Sequence, residues 1–271
     1  MLEFASVEPP VARTLGPTGS RTRRASINRF DKIEDPRRRV LIEALAAGLF
    51  STGFPAGTVF AQGVFGGRPG KLPPGQSIYR IAGTASVNGA PATLQTPVRP
   101  GDTVETGKDS ELIFVIDGHS MLLRSESRLV IESEKKDAAS RLISGLRMLT
   151  GKILSASRGT RFRVTTATAT IGIRGTGWYG ESDPEQTYFC TCYGATDVTS
   201  INDPDSKETV VSKQHDRPLY ITGRSARGRN IRNAPFINHT DQELMLIETL
   251  VGRSPPFVFP KGDYTGPRRD Y

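Results

Sequence analysis

With 271 residues, 36% of them hydrophobic, the chain can bury one main core with extensions, and 28 glycines and 19 prolines point to turns and strands rather than long helices. A net charge of +8 suits an anionic surface such as phospholipid or lipopolysaccharide as a partner. No basic motif interleaved with aromatics is present, so no nucleic-acid partner is expected.

Residues 1–36 are polar, with Pro9-Pro10, Gly16-Pro17 and a basic run from Arg21 to Arg24, and no apolar period, so they read as a disordered segment. Residues 37–61 have the order of an export signal: the cations Arg37, Arg38 and Arg39, a short apolar run, and small Ala61 before Gln62. Two arginines, one residue, then Val40-Leu41 resemble a twin-arginine signal, which a transporter for folded proteins reads. The expectation is cleavage after Ala61 and a periplasmic or secreted protein. The apolar run is interrupted by Gly and Pro and has Glu43 near its start, so no stable membrane span is expected. Residues 62–77, with Gly-Gly-Arg-Pro-Gly and Pro-Pro-Gly, read as a linker.

Regular β patterning follows. Asn88-Gly89 predicts a hairpin between 78–87 and 92–98, and Asp117-Gly118 a second between 111–116 and 120–124. Arg99-Pro-Gly-Asp102 reads as a turn, 103–106 and 129–132 as strands, and 135–140 as a loop. Strands at 146–149 and 152–156 flank a turn at Gly151, and 161–165 leads into the stretch that organises the chain, Val164 to Gly194. Its first arm is rich in Thr, Val and Ile and is punctuated by Gly172, Gly175 and Gly177, where a strand can bulge. The turn at 181–185 joins it to a second arm at 187–193. Turn signals every ten or so residues predict an all-β fold, an antiparallel sandwich or roll of short strands.

The runs Gly101-Asp-Thr-Val-Glu-Thr-Gly107, Leu112 to Leu129, Leu149-Thr-Gly-Lys-Ile153 and Thr165 to Thr176, which ends on Ile173-Arg174-Gly175-Thr176, resemble the FecR-type domain, the periplasmic β-domain of iron-dicitrate-type transmembrane sensors. The resemblance covers residues 78–201 and implies a binding and signalling module, not an enzyme. Arg174, Gly175, Thr176 and the lone Trp178 are its structural motif. Such sensors carry a helical anti-sigma domain before a membrane span, and about 36 residues before the signal are too few for one. The first expectation is therefore a free-standing exported scaffold or binding protein of the cell envelope. The alternatives are a transmembrane regulator of a sigma factor, or a metal-binding β protein.

Residues 202–271 form a C-terminal extension. It has strands at 208–212 and 219–222, an arginine loop with Arg224, Arg227, Arg229 and Arg232, and a helix over 241–251 capped by Thr240 or Asp241 with Leu244, Ile247 and Leu250 on one stripe. The tail from Pro255 is proline-rich.

No Gly-x-Ser-x-Gly elbow is present, and adjacent His215-Asp216 does not by itself orient an imidazole, so no catalytic residue is assigned. Glycines 172 to 177 are followed by strand rather than helix, which excludes a phosphate loop. His119 reads as an exposed turn residue, and Asp183/Glu185 and Asp203/Asp205 as turn carboxylates. Cys190 and Cys192, two apart on a strand, project to one face beside Tyr188. Three readings are open: small core hydrophobes, a strained disulfide, or two ligands of one metal completed by His215 and His239. Two Cys and two His suit zinc, or copper(I) with fewer ligands.

Overall fold

The computed structural model describes residues 71–135, 141–157, 161–223 and 230–257. The segments read as disordered (1–36), as a signal (37–61) and as most of the linker, with Arg224, Arg227, Arg229 and the tail beyond 257, lie outside the described residues. In chain order the strands are β1 (Ile78–Ala82), β2 (Ala85–Val87), β3 (Ala90–Pro91), β4 (Thr103–Thr106), β5 (Glu111–Ile116), β6 (His119–Leu123), β7 (Arg128–Lys135), β8 (Arg141–Ala156), β9 (Arg161–Thr165), β10 (Ala169–Ser182), β11 (Gln186–Ser200), β12 (Lys207–Ser212), β13 (Leu219–Thr222) and β14 (Ile231–Asn233). The helix α1 (Asp241–Leu250) closes the series. The fold is all-β with a short C-terminal helix.

Three long strands, β8, β10 and β11, each belong to two layers. The first part of β8 pairs with β7 and, in parallel, with β9, whereas its second part pairs with β6 and β10. The first part of β10 pairs with β9 and its second with β8, while β11 runs beside both. β11 adds β13 near its start and β12 beyond Tyr193. One layer therefore reads β3-β2-β4-β7-β8-β9-β10-β11-β12 and the other β1-β5-β6-β8-β10-β11-β13-β14. The strands cross between layers at glycines with positive φ: Gly151 (+95°), Gly175 (+63°) and Gly194 (+89°). At Gly175 the register slips between Arg174 and Gly177, a bulge that an L-residue with a Cβ enters only under strain.

Between the layers lies one core, with Phe114, Met121, Ile131, Leu146, Val164, Ile171, Trp178, Phe189 and Ile221 among its members. The outer face of the second layer is also covered. Ile113, Leu122, Leu154, Tyr179, Tyr188, Cys190 and Cys192 pack under Leu244, Leu246, Ile247 and Leu250 of α1. Strand β5, Glu-Leu-Ile-Phe-Val-Ile, is apolar on both parities because both of its faces are covered.

The turns Asn88-Gly89 and Asp117-Gly118 carry the paired positive φ of tight hairpins, and Arg99–Asp102 closes with a backbone bond of 3.1 Å. Several local expectations need correction. The segment 78–87 is broken at Gly83, and 92–98 forms no strand. Gly151 makes no turn: β8 runs through it, bent against Ser127. The first arm of the organising stretch is interrupted at 166–168, where the Thr166 amide donates to Ala169 O, so β9 and β10 form a hairpin of their own. The central strands are 14 to 16 residues long rather than short, because each serves two layers. Part of the arginine loop is strand β14.

His119 is not an exposed turn residue. It starts β6, is 4% exposed and meets Phe162 edge-on at 5.2 Å between centroids. Burial, reinforced by the charge of Arg253, lowers its pKa to about 4. The folded value lies below the unfolded value of about 6.5, so the unfolded state binds more protons between the two. The stability held by the neutral ring is full above pH 6.5 and is lost as pH falls toward 4. Between pH 7 and pH 4 this loss is expected to reach up to about 3 kcal/mol. Chemical denaturation across that range should show a shallower pH dependence for His119→Gln than for the parent; parallel curves would mean that the ring protonates freely in the folded protein.

Among the described residues no helix is long and apolar enough to cross a membrane.

Candidate metal centre

Strand parity places Tyr188, Cys190 and Cys192 together on the outer face of the second layer. His215 arrives from the turn after β12. Asp216 shapes that turn, its carboxylate accepting from the Lys213 amide (2.6 Å) and the Ser212 hydroxyl (3.4 Å). His215 adopts φ +53°, a conformation that His tolerates better than most residues, and its backbone N–H donates to Cys192 O at 2.9 Å. His239 arrives from the stretch before α1. Asn238, at φ +60°, turns the chain there and is held on both sides: Arg124 Nη2 donates to its carbonyl (2.9 Å), and its Nδ2 donates to Glu181 Oε1 (2.8 Å). Thr240 then caps α1. Its hydroxyl accepts from the Glu243 amide (3.2 Å), and the Glu243 carboxylate accepts from the Thr240 amide (2.8 Å), a reciprocal capping box.

These elements bring one ligand atom from each of Cys190, Cys192, His215 and His239 within 4.8 Å of one another, all four residues being buried. The rings are oriented from behind. His239 Nδ1 lies 2.7 Å from Ile237 O, and a carbonyl only accepts, so the proton is on Nδ1 and Nε2 carries a lone pair. His215 Nε2 lies 2.7 Å from Asp241 Oδ1, which leaves Nδ1 as its inward atom. Asp241 is itself held by Gln214 Nε2 (2.8 Å). The two inward nitrogens are 3.1 Å apart, and His215 Nδ1 is 3.5 Å from Cys190 Sγ. Phe236 stacks on His215 (4.2 Å, 23°) and Tyr179 on His239 (4.4 Å, 17°), so neither ring can swing away without losing packing.

Burial opposes ionisation throughout this cluster, and the neighbours decide the outcome. Burial alone would push the Cys190 thiol up, but the Cys192 hydrogen bond and the adjoining His239 and His215 hold it well below its ordinary value. Burial and the bond to Cys190 push Cys192 up. Burial would lower His215, but its bonds to Asp241 and Cys190 raise it to about 9. Burial lowers His239.

Cys190, His215 and Asp241 also have the order of nucleophile, base and orienting carboxylate. Access argues against that chemistry. Both cysteines and His239 are 0% exposed, and Cys190 lies in mid-strand rather than at a helix start that could activate it and stabilise an oxyanion. The groove lined by Gly175, Tyr193, Ser212, Lys213, Arg253 and Phe257 includes none of the four.

The structure keeps the other singled-out residues apart from this cluster. Arg174 pairs with Asp197 across to β11 at 3.2 Å on an exposed face, not with a neighbouring turn. Gly175 and Thr176 lie in the bulge of β10. Trp178 faces the inner core, stacked on Phe189 at 5.5 Å. Arg232 lies over the Tyr220 ring and donates to Gln186. Both cysteines are free thiols, which corrects the disulfide reading: strand geometry does not bring neighbouring same-face sulfurs into bonding position. Sequence reasoning assigned no site role to Asp241, Tyr179 or Phe236. The signal available for Asp241 was its place two residues after His239 at the start of a helix.

The model of a family described as FecR protein matches residues 102–194. The chain carries a FecR domain. The FecR match begins just before β4 and ends at the bend of β11, so it contains Cys190 and Cys192 but neither histidine. No curated protein matches the chain. Two crystal structures titled as a candidate anti-sigma factor from Parabacteroides distasonis ATCC 8503 are similar with TM-scores of 0.36 and 0.37, each at 12% identity over 49% of this chain. The similarity covers 58% of each of those chains, less than two thirds of their length.

Proposed function

We propose that this chain is a non-catalytic signalling module of the cell envelope whose FecR domain acts in the control of a sigma factor. One observation carries the reading, the FecR match over the segment that contains β4 to the first half of β11. This reading takes the place of the free-standing scaffold expected from the sequence. That expectation rested on the short segment ahead of residue 37, and a signalling module can act through a separate partner chain. The burial of the cluster supports a non-enzymatic role, because Cys190, Cys192 and His239 are fully covered and present no reactive group to a substrate. The test is transcript profiling after deletion of the gene, under conditions in which the protein is made. A sigma-dependent gene set is expected to change together and to return on re-expression. An unchanged transcript profile, with the protein shown to be absent, would sink the regulatory reading.

A further inference from the structure

We propose that Cys190, Cys192, His215 and His239 hold one zinc ion in a closed, four-coordinate structural site. This inference does not depend on the sigma-factor reading.

The separations fit a single small cation. Bonds of about 2.0–2.1 Å to nitrogen and about 2.3 Å to sulfur at tetrahedral angles put the nitrogens about 3.3 Å apart and a sulfur about 3.5 Å from a nitrogen. The structure has 3.1 Å between the nitrogens and 3.5 Å between Cys190 Sγ and His215 Nδ1, with all four ligand atoms inside 4.8 Å.

The proton positions point the same way. Ile237 O fixes the outer N–H of His239 and Asp241 orients that of His215, so the two inward nitrogens face each other across 3.1 Å in a buried site and offer a lone pair each once His215 gives up its inner proton. A proton could bridge the nitrogens, but it leaves the Cys192 thiol with weak sulfur partners, Cys190 and, at 3.9 Å, the Cys190 carbonyl. One divalent cation binds both lone pairs and both thiolates, and two thiolates balance its charge, which a buried site requires. Each imidazole already has the outer-shell partner that metal-bound histidines have, Asp241 for one and a carbonyl for the other. The carboxylate sits in the first turn of α1, where negative charge is favoured.

The donor set selects the metal. Calcium and magnesium take oxygen, and a two-iron cluster held by two thiolates and two imidazoles places the sulfurs on one iron and the nitrogens on the other, which the 3.5 Å between Cys190 Sγ and His215 Nδ1 does not allow. Two sulfurs and two nitrogens at tetrahedral spacing suit zinc. Such an ion ties β11, which belongs to the FecR segment, to the turn after β12 and to the start of α1.

The test uses the full chain. The protein is purified without chelator, its metals are measured by mass spectrometry, and cobalt(II) is exchanged in as a spectroscopic probe. One zinc per chain is expected, and the cobalt form should show intense tetrahedral d–d bands with thiolate charge transfer. Cys192→Ser is expected to abolish the charge-transfer pattern of two thiolates. Should that variant fail to fold, Asp241→Asn keeps all four ligands and is expected to weaken zinc binding about 10- to 100-fold while circular dichroism stays native. Copper in place of zinc, an octahedral cobalt spectrum, or a folded metal-free protein whose two thiols both react with a thiol reagent would each overturn the assignment.

Discussion

Arg124→Met is expected to lower the free energy of unfolding by about 3–5 kcal/mol, the cost of stranding one member of a buried ion pair. Arg124 is 3% exposed, and its Nη2 donates to Glu243 Oε1 at 2.9 Å and to Asn238 O at 2.9 Å. The Glu243 side chain is fully buried, so without the guanidinium its carboxylate faces no compensating cation in that pair. Urea denaturation should show a lower midpoint at unchanged slope. Glu243→Gln placed on top is expected to restore most of the loss, because Gln can still complete the capping box and carries no charge. A double variant no better than Arg124→Met would mean that the lost packing over Tyr179, 5.9 Å from the guanidinium, dominates rather than the pair.

Gly151→Val is expected to cost about 3 kcal/mol or more, combining backbone strain with overpacking. At φ +95° a side chain is already disfavoured, and a Cβ there would overlap the Cα and Oγ of Ser127. Gly175→Val isolates the first effect. Gly175 has φ +63° but lies at an exposed bulge, so about 1–2 kcal/mol is expected. Thermal melts of the two variants side by side give the comparison. Equal losses would mean that the approach of β8 to Ser127 is looser than described.

Features written into short windows were legible in the sequence. Asn88-Gly89 and Asp117-Gly118 specify their turns because few residues accept positive φ, and Thr240 with Glu243 specifies a helix start. The i, i+2 spacing was enough to place Cys190 and Cys192 on one face, since a strand has a period of two. Features decided by distant partners were not legible. Gly151 has the composition of a turn, and only its contact with Ser127 makes it a bend within a continuous strand. The parallel pairing of β8 with β9 leaves no local mark. His119 follows Asp117-Gly118 and reads as part of that turn, whereas Phe162 from β9 covers it. Asp241 has the residue type of a cap, and its role behind His215 depends on a turn that is far away in sequence.

The strand crossings at Gly151, Gly175 and Gly194 have a consequence for how the molecule opens. Because β8, β10 and β11 each run through both layers, neither layer can separate while the other keeps its ladders. Amides along these strands should therefore exchange with deuterium only through global opening, with one common free energy, whereas the short edge strands β3 and β14 exchange through local fraying. The FecR segment ends at Gly194, on the last of the crossings. Cut there, the chain would leave the first half of β10 without its β11 partner from Ala195 to Ser200, and the cooperative unit would be broken. The unit of folding is thus longer than the unit of family likeness, and it includes the strands and helix that bring His215 and His239 to the cysteines.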